Sequence, residues 1–190
     1  MRALIALLLA TLPAAAQQTF PTYAAGFYNL GAQAAATDVV CLENAGHKVI
    51  RLMAVTLAGI GVAAGTIHVS VLIRSTANAG GVSITPAPVP LSSDYPPGTA
   101  VLRAYTANPT TLGTSIGVIR EDRWDITTQG SNADPGNSLG LLPVYNPPAA
   151  KMTLKGTGSD PAAFAGCLSF NGTGPASTLT GDATWTEEAQ

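Results

Sequence analysis

Charge is scarce in this chain. Charged residues make up 11% of its 190 positions, against about 25% in an ordinary globular domain. That scarcity argues against long surface helices, which draw on Glu, Lys and Arg. It also argues against disorder, which needs low hydrophobicity with high net charge. The basic residues are scattered and the formal net charge is −2. No basic stripe is available to lie along phosphates, so nucleic acid is not an expected partner. Histidine and cysteine number two each, at spacings that make no zinc signature, and neither a metal nor a cofactor is expected. No apolar run is long enough to cross a bilayer: the longest, from Ala3 to Leu12, falls well short of the roughly 20 residues a spanning helix needs.

What fills the gap is glycine, proline, alanine and threonine, with 46% of residues hydrophobic. That is enough apolar surface for a buried core, and a Thr/Ser/Asn surface suits exposed strands and subunit contacts. The N-terminus has Arg2, the short apolar run, Pro13 and small residues at 14 and 16. This is the layout of a secretory signal peptide cleaved after Ala16. The alternative is a hydrophobic arm, residues 1–16, that is retained and docks on a neighbour. Residues 17–36 read as an extended arm, and residues 37–190 as a single β-sandwich domain.

Strand signals recur from Asp38 onward. Val49–Leu57 is apolar enough for burial on both faces. Thr66–Ser75 alternates, with Ile67, Val69, Val71 and Ile73 on one face, the period of two that marks a half-buried strand. The glycine-rich stretch Ala58–Gly65 between them reads as a hairpin connection. Residues 77–98 hold Pro86, Pro88, Pro90, Pro96 and Pro97, so they form a surface excursion or a sheet edge. Further strands are expected at Ala100–Tyr105, Ser115–Arg120, Leu139–Val144, Lys151–Lys155, Ala165–Phe170 and Ala183–Glu188. Turn clusters separate them. The predicted class is all-β, an antiparallel sandwich or jelly roll of about eight strands.

Motifs that suggest chemistry fail their context tests. Gly113-Thr114-Ser115-Ile116-Gly117 matches the G-x-S-x-G elbow, which needs a helix after the serine and a histidine later in the chain; both His47 and His68 lie upstream. Gly59-Ile60-Gly61-Val62-Ala63-Ala64 resembles a dinucleotide fingerprint, but a strand follows where a helix is required. Asn132, Asp134 and Asn137 lack the glycine and glutamate of a calcium loop. Glu121, Asp122 and Asp125 crowd around Arg123 and Trp124 and could form an acid pair, yet a solvated strand end with local charge pairing is the simpler reading. No enzyme is expected. Trp124 and Trp185 are expected in or beside the core. Tyr95 and Tyr105 are candidates for exposed contact residues. Cys41 and Cys167 are a candidate disulfide if the chain is exported; the balance leans towards free thiols, because neighbouring strands seldom meet the distance limits.

Three segments carry a family resemblance: Met152-Thr153-Leu154-Lys155-Gly156-Thr157-Gly158, Gly166-Cys167-Leu168-Ser169-Phe170-Asn171-Gly172, and Gly181-Asp182-Ala183-Thr184-Trp185-Thr186-Glu187-Glu188. Over residues 138–188 the chain resembles small structural proteins of tailed-phage virions. The resemblance implies a jelly-roll-like sandwich serving as a capsid, neck, tail or spike component. The expected function is therefore structural: self-association, or contact with other virion or surface proteins, through sandwich edges. An exported adhesin or glycan-binding module is the alternative, with a virion or an extracellular or periplasmic location to match.

Overall fold

The structure is a computed structural model, and it describes residues 20–31, 36–45, 48–61, 65–126, 139–145, 152–155, 165–171 and 177–189. Among these residues every regular element is a strand. In chain order they are β1 (Thr22–Gly31), β2 (Thr37–Glu43), β3 (Val49–Gly61), β4 (Gly65–Arg74), β5 (Val82–Ile84) and β6 (Val89–Pro90). Next come β7 (Val101–Ala107), β8 (Ser115–Ile126), β9 (Leu139–Tyr145), β10 (Met152–Lys155), β11 (Ala165–Asn171) and β12 (Ser177–Glu188). They form two antiparallel sheets. The first runs β10-β3-β12-β1-β6, with β9 also on the β10 side of β3; the second runs β5-β7-β2-β11-β4-β8. The antiparallel sandwich predicted from strand spacing is present.

Three expectations are corrected. Residues 22–31 belong to no free arm: β1 lies inside the first sheet, between β12 and β6. Its alternate residues Tyr23, Ala25 and Phe27 are buried, a period-two signal hidden in sequence by the intervening alanine and glycine. The Ala58–Gly65 stretch makes no hairpin, because β3 and β4 belong to different sheets; the chain crosses the sandwich there. The strand count exceeds eight because β1 and the short β5 and β6 add to it. Both short strands come from the proline-rich stretch, and each is the last strand of its sheet, where a missing N–H costs no ladder bond.

The core lies between the sheets. Trp185, Tyr23, Leu42, Ile50, Leu57, Leu102 and Leu154 are its largest fully buried side chains, and the rings of Trp185 and Tyr23 stack with centroids 6.2 Å apart. Across the sandwich β1 packs over β7, β10 over β11, and β9 over β4 and β8. The small void between the sheets is lined by apolar side chains such as Leu52, Leu102 and Ala183. It offers no polar group to orient a ligand.

Candidate contact surfaces

Part of the outer face of the second sheet, around β2 and β11, is covered. β2 is buried along its whole length, on both faces. Val40 and Leu42 enter the main core, whereas Cys41 joins Cys167, Leu72, Tyr105 and Ala165 in a second apolar cluster. Cys41 and Cys167 stand directly opposite one another in the β2–β11 ladder, and they are bonded, with an S–S distance of 2.09 Å and Cα atoms 4.1 Å apart. The expectation of free thiols is therefore corrected: direct cross-strand register supplies the proximity that mere sheet neighbourhood does not. Tyr105 is corrected too. It is 4% exposed, and burial, followed by the Glu43 carboxylate, raises its hydroxyl above the ordinary tyrosine range.

A strap made of residues 75–81 and 108–114 lies over this cluster. Its halves are tied by Ser75 N donating to the Thr114 carbonyl at 2.8 Å and Ala79 N donating to the Thr111 carbonyl at 2.9 Å. Beneath it Arg74 holds Asp38 through both Nε and Nη2, the latter at 2.7 Å, and donates Nη1 to the Gly113 carbonyl at 2.6 Å. Asn78 Nδ2 donates to Asp38 at 2.7 Å, while its Oδ1 accepts Gly113 N at 2.7 Å. Both members of the ion pair are buried, as such groups can be only when paired and hydrogen-bonded. Gly113 thus has a structural role in the G-x-S-x-G motif: a β-carbon there would overlap the Thr76 carbonyl oxygen. Gly113→Ala is expected to lift the strap and cost about 1–3 kcal/mol, the usual range for forced overpacking. An unchanged urea midpoint in that variant would contradict the assignment.

A second polar hub anchors the proline-rich loop. Glu187, on β12, is buried. Its carboxylate accepts Thr99 N at 2.9 Å, Thr99 Oγ1 at 2.7 Å, Ala100 N at 2.9 Å and Trp185 Nε1 at 3.1 Å. Tyr23 donates its hydroxyl to the Pro96 carbonyl at 2.9 Å; burial, then the nearby Glu187 charge, raises that hydroxyl above its ordinary range. Leu91 N donates to the Thr22 carbonyl and Glu187 N to the Pro21 carbonyl. The loop is thus held at both ends and presents Val89 and Leu91, 59% and 61% exposed. Tyr95 is half-buried beside Pro96 and Pro97. Sequence reasoning missed Glu187 as an anchor, because a glutamate in a final strand reads as a solvated end.

The remaining candidates are dispersed. His68 is exposed on β4, Ser115 is exposed at the start of β8, and Asp122 pairs with Arg120 at 2.6 Å. His47, the Asn132–Asn137 loop and the leader lie outside the described residues, as do the side chains of Trp124 and Asp125. Trp185 is fully buried, as expected. No described helix is long and apolar enough to cross a membrane.

The sheet edges are poor templates for backbone pairing. β6 has two residues including Pro90, β5 has three, β10 has four, and β9 carries Pro143. β8 is long, yet its register slips so that Ile116 and Ile119 have no partner on β4, and Arg120, Glu121, Asp122 and Arg123 follow. Short strands, proline, bulges and charges all discourage edge-to-edge growth. Six of the eight exposed large apolar side chains among the described residues nevertheless lie at the sides of the sandwich, Val82, Val89 and Leu91 at one and Ile116, Val118 and Ile119 at the other; Tyr28 on β1 and Leu112 in the strap lie elsewhere. No family model, no curated protein and no solved structure matches this chain.

Proposed function

We propose that the protein is a non-enzymatic structural subunit that works by packing against further copies of itself or other surface proteins, as virion components do. One observation carries this reading: of the eight exposed large apolar side chains among the described residues, six, 47–61% exposed, belong to the edge strands and the proline-rich loop at the two lateral sides of the sandwich, the others being Tyr28 on β1 and Leu112 in the strap. Monomers seldom leave such groups clustered without a use. The low charge of the chain supports it, since depletion of charge is what distinguishes the centre of an interface. Two residues from the motifs that suggested chemistry have structural work: Gly113 seats the strap, and Asp122 pairs with Arg120.

Sedimentation velocity of the oxidised chain at micromolar concentration tests this. Multimers that grow with concentration are expected, and a monomer throughout would refute self-association. A second reading, an exported adhesin or glycan-binding module, is favoured by the Cys41–Cys167 bridge, because disulfides belong to oxidising compartments. It calls for a mature chain starting at Gln17 and for retention on a glycan array.

A further inference from the structure

We propose that the strap is a lid over a redox-responsive site: when it opens, a dithiol reduces the Cys41–Cys167 bridge in the folded chain, and the bridge re-forms on oxidation. This holds whether or not the chain self-associates.

The strap is fastened lightly. Of residues 75–81 and 108–114 only Pro109 and Gly113 are buried, so opening gives up little apolar contact, as in segments that unfold locally. Two polar links hold it to the sheet, Asn78 to Asp38 and Arg74 to the Gly113 carbonyl. Its halves are tied to each other at Ala79 and Thr111, so they lift together. Gly80 and Gly81, at φ of 70° and 77°, supply a turn that glycine takes without steric cost.

Beneath the lid the surroundings suit the thiol state as well as the bridge. Asp38 Oδ2 lies 3.7 Å and Asn78 Nδ2 3.4 Å from Cys41 Sγ. A bridged sulfur has no proton to give, whereas a thiol donates and accepts weakly. Reduced Cys41 therefore finds an acceptor in Asp38 and a donor in Asn78. The bridge is also not alone in positioning the sulfurs. β2 is paired with β7 and β11, and β11 with β2 and β4, so the ladders keep the cysteines opposite one another once the bond opens. Re-formation needs no search.

The exchange is a two-step transfer. A thiolate of the dithiol bonds to Cys167 Sγ, and the S–S bond breaks with its electron pair on Cys41 Sγ, which takes up a proton. The reagent's second thiolate then attacks its own sulfur in the mixed disulfide, and Cys167 leaves and is protonated. The dithiol becomes a disulfide, and the protein gains two electrons and two protons.

Reduction by dithiothreitol in native buffer, followed by alkylation and intact mass, tests this. Asn78→Ala is expected to speed reduction about tenfold, because it unlatches the lid. Thr76→Ala removes only the hydroxyl that accepts Thr114 N at 2.9 Å and should give about threefold. Ile50→Val, in the core of the first sheet, is the comparison: it raises the unfolded fraction about fivefold and leaves the strap intact, so its rate should match the parent. A fivefold faster reduction of Ile50→Val, or no acceleration in the strap variants, would place access in global unfolding and overturn the lid. On removal of dithiothreitol, oxidised glutathione is expected to restore the bridge, with the circular dichroism of a folded sheet throughout. A reduced chain that unfolds, or one that does not re-form the bridge, overturns the reversible site.

Discussion

Replacing Cys41 and Cys167 together by alanine is expected to destabilise the oxidised protein by about 3–5 kcal/mol. The bridge spans 126 residues of sequence, and closing so long a loop removes entropy from the unfolded chain worth about 5 kcal/mol in the chain-entropy model. It joins β2, buried on both faces, to β11, which lies between β2 and β4. Its loss therefore falls on the middle of the second sheet. Urea unfolding of the double variant against the oxidised parent measures the difference, and the parent in excess reductant should match the variant. Both sulfurs lie buried beneath the strap, so reduction in native buffer is expected to be far slower than in urea. A shift of less than about 1 kcal/mol, well below the usual range for native bridges, would show that the ladder alone holds β2 and β11 together.

Asp38→Ala is expected to cost about 3–5 kcal/mol, because it leaves the Arg74 guanidinium buried without its counter-charge. The pair is held in two-point geometry and is almost fully sequestered, at 7% and 0% side-chain exposure. It therefore escapes the solvent screening that makes surface pairs weak. Replacing both partners with apolar residues, as Asp38→Val with Arg74→Met, should recover most of the loss, as buried pairs often tolerate. Recovery should stop short of complete, since Asn78 Nδ2 would lose its carboxylate acceptor. Thermal unfolding of the single and double variants separates these outcomes. Equal losses in both would place the stability in the strap's backbone bonds and not in the ion pair.

The sandwich was legible because turn residues punctuate the strands and β4 alternates in sequence. The half-buried reading of β4 holds only at His68, which is exposed: Val69 and Val71 enter the core, and Ser70, Leu72 and Arg74, expected on the solvent face with His68, are buried as well. β1 was obscured, since its inward residues are separated by small ones and Ala25 supplies little contrast with Ala24. The crossing at Ala58–Gly65 was unreadable for a general reason: a glycine-rich link between two strands looks the same whether it turns within a sheet or passes between sheets. The strap is a tertiary fact. Nothing near Asp38 announces that Arg74, 36 residues on, will fold over it. Tyr105 was misplaced because its alternation from Arg103 points to the outer face, which is normally wet and here is covered. The two lateral patches were half visible. The proline-rich loop was marked as a surface element by its composition, whereas exposed Ile116, Val118 and Ile119 looked like any buried strand.

Native mass spectrometry of the protein recovered from its own source tests assembly most directly. The expected spectrum is a series of multiples of one subunit mass, with the disulfide intact in every subunit. A single monomer mass at all concentrations would contradict the structural-subunit reading. A monomer beginning at Gln17 would move the weight to the exported binding module.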